Sequence, residues 1–415
     1  MVTLLQKVAR PSNLKRAWNS IKHKADSKGF DLQTISDFRA NLDTNIKLIR
    51  SELLEQSYSF TKLRGSALKK DGEIKIRPLR IPAVRDRVVQ KAIQYVIEKR
   101  LNRIYKINNP VSFAYIEEKS VWHAIKEVRS AIRSGLNWIY IADIQNFFGS
   151  ISPQILLETY IFPILSDNSL NSLISKALST EIGNYAQMLK LGYGDEFLTD
   201  EIGIAQGGIL SPLFANVYLN ELDKTMIKKR LKMIRYADDF VVMCDSEVQA
   251  RESYKIAKQI LEDKLGLKLH DIDSKKSEIK IFSHLDFLGV RFEGDAIYPG
   301  AKAFKKMITS LKKITKESPK GNAIQDLVYL RERSQSWAAT YFYTDIKVEH
   351  YVALETHFIN ALKATMKRYG FMTKKETFTR AELKKIGIPD FGTRLLDIKR
   401  IKKEKIREFN QFAAS

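Results

Sequence analysis

Asp143 and the adjacent pair Asp238 and Asp239 are the acids of this chain whose spacing suits metal chemistry. Carboxylates that converge on two divalent ions roughly 4 Å apart support phosphoryl transfer. One ion activates an attacking hydroxyl and the other clamps the departing group. Taken singly, each acid says little, because two aspartates in a tight turn are ordinarily a solvated turn. Their flanks say more. Asp143 ends a short β-rich run beginning at Trp138, and Asp238 and Asp239 lie between two short strand-like runs in KMIRYADDFVVMCDS at 232–246.

These acids can meet only if particular elements hold them. Trp138 to Ile141 reads as a buried strand that delivers Asp143 at its end, and 232–246 reads as a hairpin whose tip carries Ala237, Asp238 and Asp239. A strand end beside a hairpin tip brings distant acids together. Between them AQGGILSPLFANVYLNELD, at 205–223, is a glycine-rich turn running into a helix. Gly207 and Gly208 allow close backbone approach, and Pro212 suits a first helical turn.

Upstream, Leu14, Trp18 and Ile21 mark one helix face and Ile35, Phe38, Leu42, Ile46, Ile49 and Leu53 a second, with a break at Ser27, Gly29 and Asp31 and a cap at Thr34 or Ser36. Residues 71–82 alternate Ile74 and Ile76 with Lys75 and Arg77, the pattern of a short basic hairpin arm. Helices are expected from Arg85 to Tyr105, Val121 to Ser134 and about 247–264, strands near 278–282 and 286–293, and helix from about 302 onward.

The 415 residues carry a formal charge of +22, and 301–415 alone hold 25 Lys and Arg against 12 Asp and Glu. Such an excess points to a polyanion such as nucleic acid, against the plainer alternative of a basic surface with no partner. Cys244 is the only cysteine, which excludes an internal disulfide and any zinc site built on paired thiolates. The six histidines show no HExxH spacing and are expected to be structural or on the surface. With no stretch approaching 18 apolar residues and no cleavable leader expected at the N-terminus, the expected setting is cytoplasmic, without membrane contact.

YADDF at 236–240 resembles the motif of reverse transcriptases in which two aspartates sit on a β-hairpin turn. DIQNFFGSI at 143–151 is similar to the first palm motif of that family, and 205–223 to its second. KIRPLRIPAVRDRVVQKAI at 75–93 resembles the fingers segment of group II intron-like, retron and stand-alone defence-associated bacterial enzymes. LGLKLHDIDSKKSEI at 265–279 and HLDFLGVRF at 284–292 match the last palm elements, and NLKRAW at 13–18 and SWAATYFY at 336–343 resemble the N-terminal extension and thumb. Two places depart from the pattern. Ala205 stands where many relatives have proline, and SFAYIEEKSVWHAI at 112–125 carries Ile116, Glu117 and Glu118 where arginine and glycine are usual.

The resemblance implies a right-hand polymerase of the α+β class, with a helical N-terminal extension at 1–70, fingers and palm at 71–300 and a basic α-helical thumb at 301–415. It implies two Mg²⁺ ions, with Mn²⁺ as an alternative, on Asp143, Asp238, Asp239 and the carbonyl of Ile144. Lys75 and Arg77 become triphosphate contacts, and Gln206 and Gly207 contacts to template and incoming nucleotide. Phe148 becomes the ring that excludes a 2′-hydroxyl, Lys276 the proton donor to pyrophosphate, and Phe287 to Gly289 a structural turn. Arg85 and Arg87 are left between template backbone and acidic partners. The implied partners are an RNA template, a DNA primer and product, and dNTPs, with a homo-oligomer compatible. The implied activity is RNA-directed DNA synthesis on a dedicated noncoding RNA in bacterial antiphage defence. Its alternative is a group II intron maturase active in splicing and retromobility, for which the chain is expected to stop short of any DNA-binding or endonuclease extension.

Overall fold

The computed structural model of the chain describes residues 2–23, 27–69, 76–198, 203–272, 274, 276–341, 343–345, 348–371, 379, 381 and 382. Two compact units divide at Ile281 and Phe282. The division falls at neither of the boundaries expected at 70 and 300. Its physical reason is a shared core: Leu14, Trp18, Phe38, Ile49 and Leu53 are buried in the same cluster as Val88, Ile93, Tyr140 and Phe240.

The helix Val84–Tyr105 runs through the middle of that core, burying Val88, Val89, Ala92, Ile93, Ile97 and Leu101, and Lys106 ends it in the left-handed conformation at φ 50°. Against it lies the helix Pro11–Ile21, opened by a proline at its first position and buried along Leu14, Ala17, Trp18 and Ile21. The second expected N-terminal helix is two helices, Ile35–Ala40 and Leu42–Leu54, because Asn41 leaves helical geometry at φ −121° and ψ 33°. Thr34 is the cap, in a reciprocal capping box with Asp37.

Strands β1 (Arg64–Lys69) and β2 (Ile76–Ile81) pair antiparallel, which makes the expected basic arm the second half of a longer hairpin. Four further strands form the sheet that matters for the acids: β3 (Trp138–Ala142), β4 (Lys232–Tyr236), β5 (Asp239–Cys244) and β6 (Glu278–Ile281). They lie in the order β4-β5-β3-β6, all antiparallel. The helices Val121–Arg133 and Glu247–Lys258 pack against this sheet, and Tyr140 sits edge-on to both Phe240 and Tyr254 within the core.

In the second unit β7 (His284–Phe287), β8 (Val290–Glu293) and β9 (Ala296–Pro299) form an antiparallel meander. The run expected as one strand at 286–293 is thus a hairpin. Leu288 at φ 51° and Gly289 at φ 80° make the turn expected there, two consecutive left-handed residues whose twist suits a tight hairpin. Three helices follow, Ala301–Lys316, Ala323–Tyr341 and Val348–Arg368, packed through Met307, Leu311, Leu330, Trp337, Leu354 and Phe358. The first carries exposed Lys302, Lys305, Lys306, Lys312, Lys313 and Lys316 opposite its buried Met307, Leu311 and Ile314. Among the described residues no helix is long and apolar enough to cross a membrane.

Candidate active site

Strand register brings two of the acids face to face. Ala142 of β3 pairs with Phe240 of β5, so one step further along the ladder Asp143 stands opposite Asp239. Tyr236 pairs with Asp239, which leaves Ala237 and Asp238 as the turn itself. Asp239 is therefore the first residue of β5 rather than part of the tip. Ala237 holds φ 61°, a left-handed conformation that L residues enter at a cost.

Like charges placed directly opposite in a sheet repel, and the acids carry that signature. Partial withdrawal from water, then the charges of Asp238 and Asp143, push the Asp239 carboxyl up to about 6. Its side chain still reaches solvent, so a cation from solution has access. Asp238 is raised by the same causes, burial first and Asp143 second, with Arg77 and Lys276 acting the other way on both carboxyls.

At Asp143 the neighbours are a lysine and a histidine. Lys276 Nζ lies 2.5 Å from its Oδ2, and His270 Nε2 3.6 Å from the same oxygen. Among the described residues no three His, Cys, Asp or Glu side chains already converge closely enough to hold a metal ion. On Asp143 the Lys276 ammonium already holds a positive charge against the carboxylate. Mg²⁺ needs only one or two protein carboxylates besides water and substrate phosphates. A facing pair with a third acid on the adjacent turn, one of them already holding a positive group, fits it.

Ile144, buried directly after Asp143, forms an isolated antiparallel bridge with Leu269, and Gln145 donates its backbone N–H to the Lys268 carbonyl at 2.8 Å. These bonds tie the end of β3 to the segment leading to Lys276.

A cleft of about 540 Å³, whose Tyr115 lies within reach of the Asp238 charge, is lined by Phe148, Gln206, Gly207, Lys91 and Gln94, among others. Phe148 is half-buried, with Phe147 packed against it at 5.1 Å and fully in the core. Gly207 adopts φ 117°, and a Cβ there would come within 2.9 Å of the Arg80 carbonyl of β2, so its close neighbour is the protein's own backbone. Gln206 accepts from the Arg80 backbone N–H at 2.9 Å, docking the loop onto the arm. Without proline at 205, the loop is held by the Ala205 carbonyl, which accepts from Ser211 Oγ at 2.7 Å and Gly208 N at 3.1 Å.

Arg77 lies on β2 close enough to act on both Asp238 and Asp239, whereas Lys75 lies outside the described residues. The two arginines left open resolve as structural. Arg85 pairs with Glu52 and lies over Tyr58, and the buried Arg87 donates to the Pro82 carbonyl at 2.8 Å and the Ser27 carbonyl at 2.7 Å.

Residues 68–292 match the reverse transcriptase (RNA-dependent DNA polymerase) family. The chain belongs to that family. With it comes the α+β polymerase fold, in keeping with the helices and antiparallel sheets described above. Protein YkfC of Escherichia coli is 25% identical, over 59% of this chain and 71% of its own length. The group II intron-encoded protein LtrA of Lactococcus lactis is 29% identical over 51% of this chain, which spans only 32% of LtrA. Among solved structures, a chain of the partial Cas6-RT-Cas1–Cas2 complex is 24% identical, covering 63% of this chain and 41% of its own, with a TM-score of 0.37.

Sequence reasoning missed Tyr115, His270 and Arg235. Tyr115 follows the small residue of a loop that departs from the family pattern, and it lines the cleft within reach of the Asp238 charge. His270 was set aside with the other histidines yet neighbours Asp143. Arg235 did leave a signal: it is a charged residue placed directly after the apolar Met233 and Ile234 of β4, and it is completely buried.

Proposed function

We propose that this chain is an RNA-directed DNA polymerase that transfers nucleotides with two Mg²⁺ ions held by Asp143, Asp238, Asp239 and the Ile144 carbonyl. The observation that carries this is the facing of Asp143 and Asp239 across β3 and β5, with Asp238 on the adjoining turn, beside the cleft that holds Phe148 and Gln206. When bound, the ions would activate the primer hydroxyl and stabilise charge on the departing pyrophosphate. Asp238 and Asp239, raised while no cation is present, would ionise fully on binding one. Arg77 would neutralise phosphate charge from β2, and Lys75, outside the described residues, is assigned the same role from its place in the motif. Phe148 would close the space a 2′-hydroxyl needs, Gln206 and Gly207 would meet template and nucleotide, and Lys276, released from Asp143, would deliver a proton to pyrophosphate. Functionally, residues 1–70 would form the N-terminal extension, 71–300 fingers and palm, and 301–415 a thumb whose lysine-rich first helix suits a nucleic-acid backbone.

For the template, the motif resemblance suggests a dedicated noncoding RNA copied in antiphage defence. The intron-encoded relative LtrA favours a second reading, an intron RNA bound for splicing and mobility. Extension of a DNA primer on an RNA template with labelled dNTPs and Mg²⁺ tests the activity, and Asp238→Ala should abolish it. Synthesis that survives that change, or none on any template, would sink the proposal. Sequencing the RNA that copurifies, together with a splicing assay of the Asp238→Ala, Asp239→Ala double variant, separates the two roles: a purely RNA-folding role tolerates the change.

A further inference from the structure

Arg235 has no exposed surface and spends every donor it has. Its Nε and Nη2 grip Asp223 in a fork, at 2.7 and 2.6 Å. Nη2 also reaches Ser112 Oγ at 2.8 Å, while Nη1 donates to Asn216 Oδ1 at 3.2 Å and to the Ala237 carbonyl at 3.0 Å. That makes five bonds for the five N–H groups a guanidinium offers. The backbone joins in: Arg235 N donates to the Val111 carbonyl at 2.8 Å and Phe113 N to the Arg235 carbonyl at 3.0 Å, so residues 111–113 lie along β4 like an extra strand.

The targets of these bonds are informative. Ala237, whose carbonyl Arg235 holds, is the left-handed residue immediately before Asp238. Asn216, also held by Arg235, donates to the Ala114 carbonyl at 2.8 Å. The next residue is Tyr115, itself left-handed at φ 60° and lining the cleft with a half-exposed ring. Asn109 completes the cluster by donating to Asp223 at 3.0 Å and accepting from Ser112 N at 2.9 Å. One side chain therefore bears on two strained backbone positions, directly on Ala237 beside Asp238 and through Asn216 and the Ala114 carbonyl on Tyr115. Strained conformations persist only where the surroundings over-determine them.

We propose that Arg235 is a positioning residue for nucleotide transfer, setting the Asp238 turn and the Tyr115 wall of the cleft as one rigid piece. This rests on the function proposed for the aspartates. Lysine cannot substitute, because its three donors leave at least two of the five acceptors without a bond from residue 235 and lack the planar fork.

The test compares the wild-type protein with Arg235→Lys, Ser112→Ala and Asn216→Ala in primer extension, with active enzyme titrated and melting temperature recorded. Arg235→Lys should lower kcat per active site by about ten- to a hundredfold and raise the Mg²⁺ concentration giving half the maximal rate, with primer–template affinity unchanged. Ser112→Ala and Asn216→Ala should raise KM for dNTP severalfold through Tyr115. A merely structural role would lower the melting temperature and the active fraction but leave Mg²⁺ dependence and KM per active site as in the wild type. That result in folded Arg235→Lys overturns the proposal; if this variant does not fold, the same result in both Ser112→Ala and Asn216→Ala does so. Asp238→Asn run alongside separates the two failures. Its inactivity beside an unchanged Arg235→Lys sinks only the positioning role, and its activity sinks the reading of the aspartates.

Discussion

Asp223 and Asp239 stand on nearby elements and live in opposite surroundings. Asp223 is buried, and both its oxygens are matched by Arg235, with Asn109 adding a further bond. Asp239 opens to solvent, faces another acid and is held up to about 6. A buried guanidinium grips Asp223 directly, whereas at Asp239 the charges of Asp238 and Asp143 outweigh the pull of Lys276 and Arg77. Asp86 falls between them: buried, it accepts from Tyr58 Oη at 2.6 Å and Thr61 N at 3.0 Å, yet burial still drives it up to about 6.

The contrast breaks most visibly by neutralising each acid. Asp239→Asn should cut DNA synthesis on the order of 10³-fold. In metal-free buffer its melting temperature should hold or rise, since a repulsion is relieved, and the stabilisation that Mg²⁺ gives the wild type should disappear. Asp223→Asn should do the reverse, costing ~3–5 kcal/mol in chemical denaturation because it leaves the Arg235 charge buried without its partner. If the two variants lose equal stability, the distinction between them is gone.

Smaller effects sharpen the picture. Phe148→Ala should erode the preference for dNTP over NTP by roughly 10- to 200-fold in the ratio of kcat/KM, and an unchanged ratio would return Phe148 to an ordinary core role. Asp86 gives a pH dependence. Its folded value of about 6 lies above the model-compound 3.8, so the native state keeps the proton longer than the unfolded chain. Stability should therefore fall as pH rises from about 4 to about 6, by about 2 kcal/mol. Asp86→Asn should show a flatter profile across that window, as read by melting temperature, while the wild-type slope surviving in that variant would assign it to other groups.

Much of this was legible in the chain itself. Local chemistry sets the strand that ends at Asp143, the hairpin around Asp238, the helix of 84–105 and the cap at Thr34, because apolar periodicity and turn residues act over a few positions. The family motifs are likewise local strings, and the match over 68–292 bears out the family they pointed to.

What the sequence could not show depends on register and on contacts between remote segments. That Asp143 faces Asp239 follows from β3 pairing with β5, and a slip of one residue would have turned every side chain to the other face. The burial of Arg235, the bond that draws Lys276 onto Asp143 and the placing of Tyr115 in the cleft each join residues widely separated in the chain. The residue types alone determined what chemistry this protein could carry. Only the fold decided which charges it pairs within the core and which it leaves open to solvent, because solvation and pairing are properties of assembled neighbours.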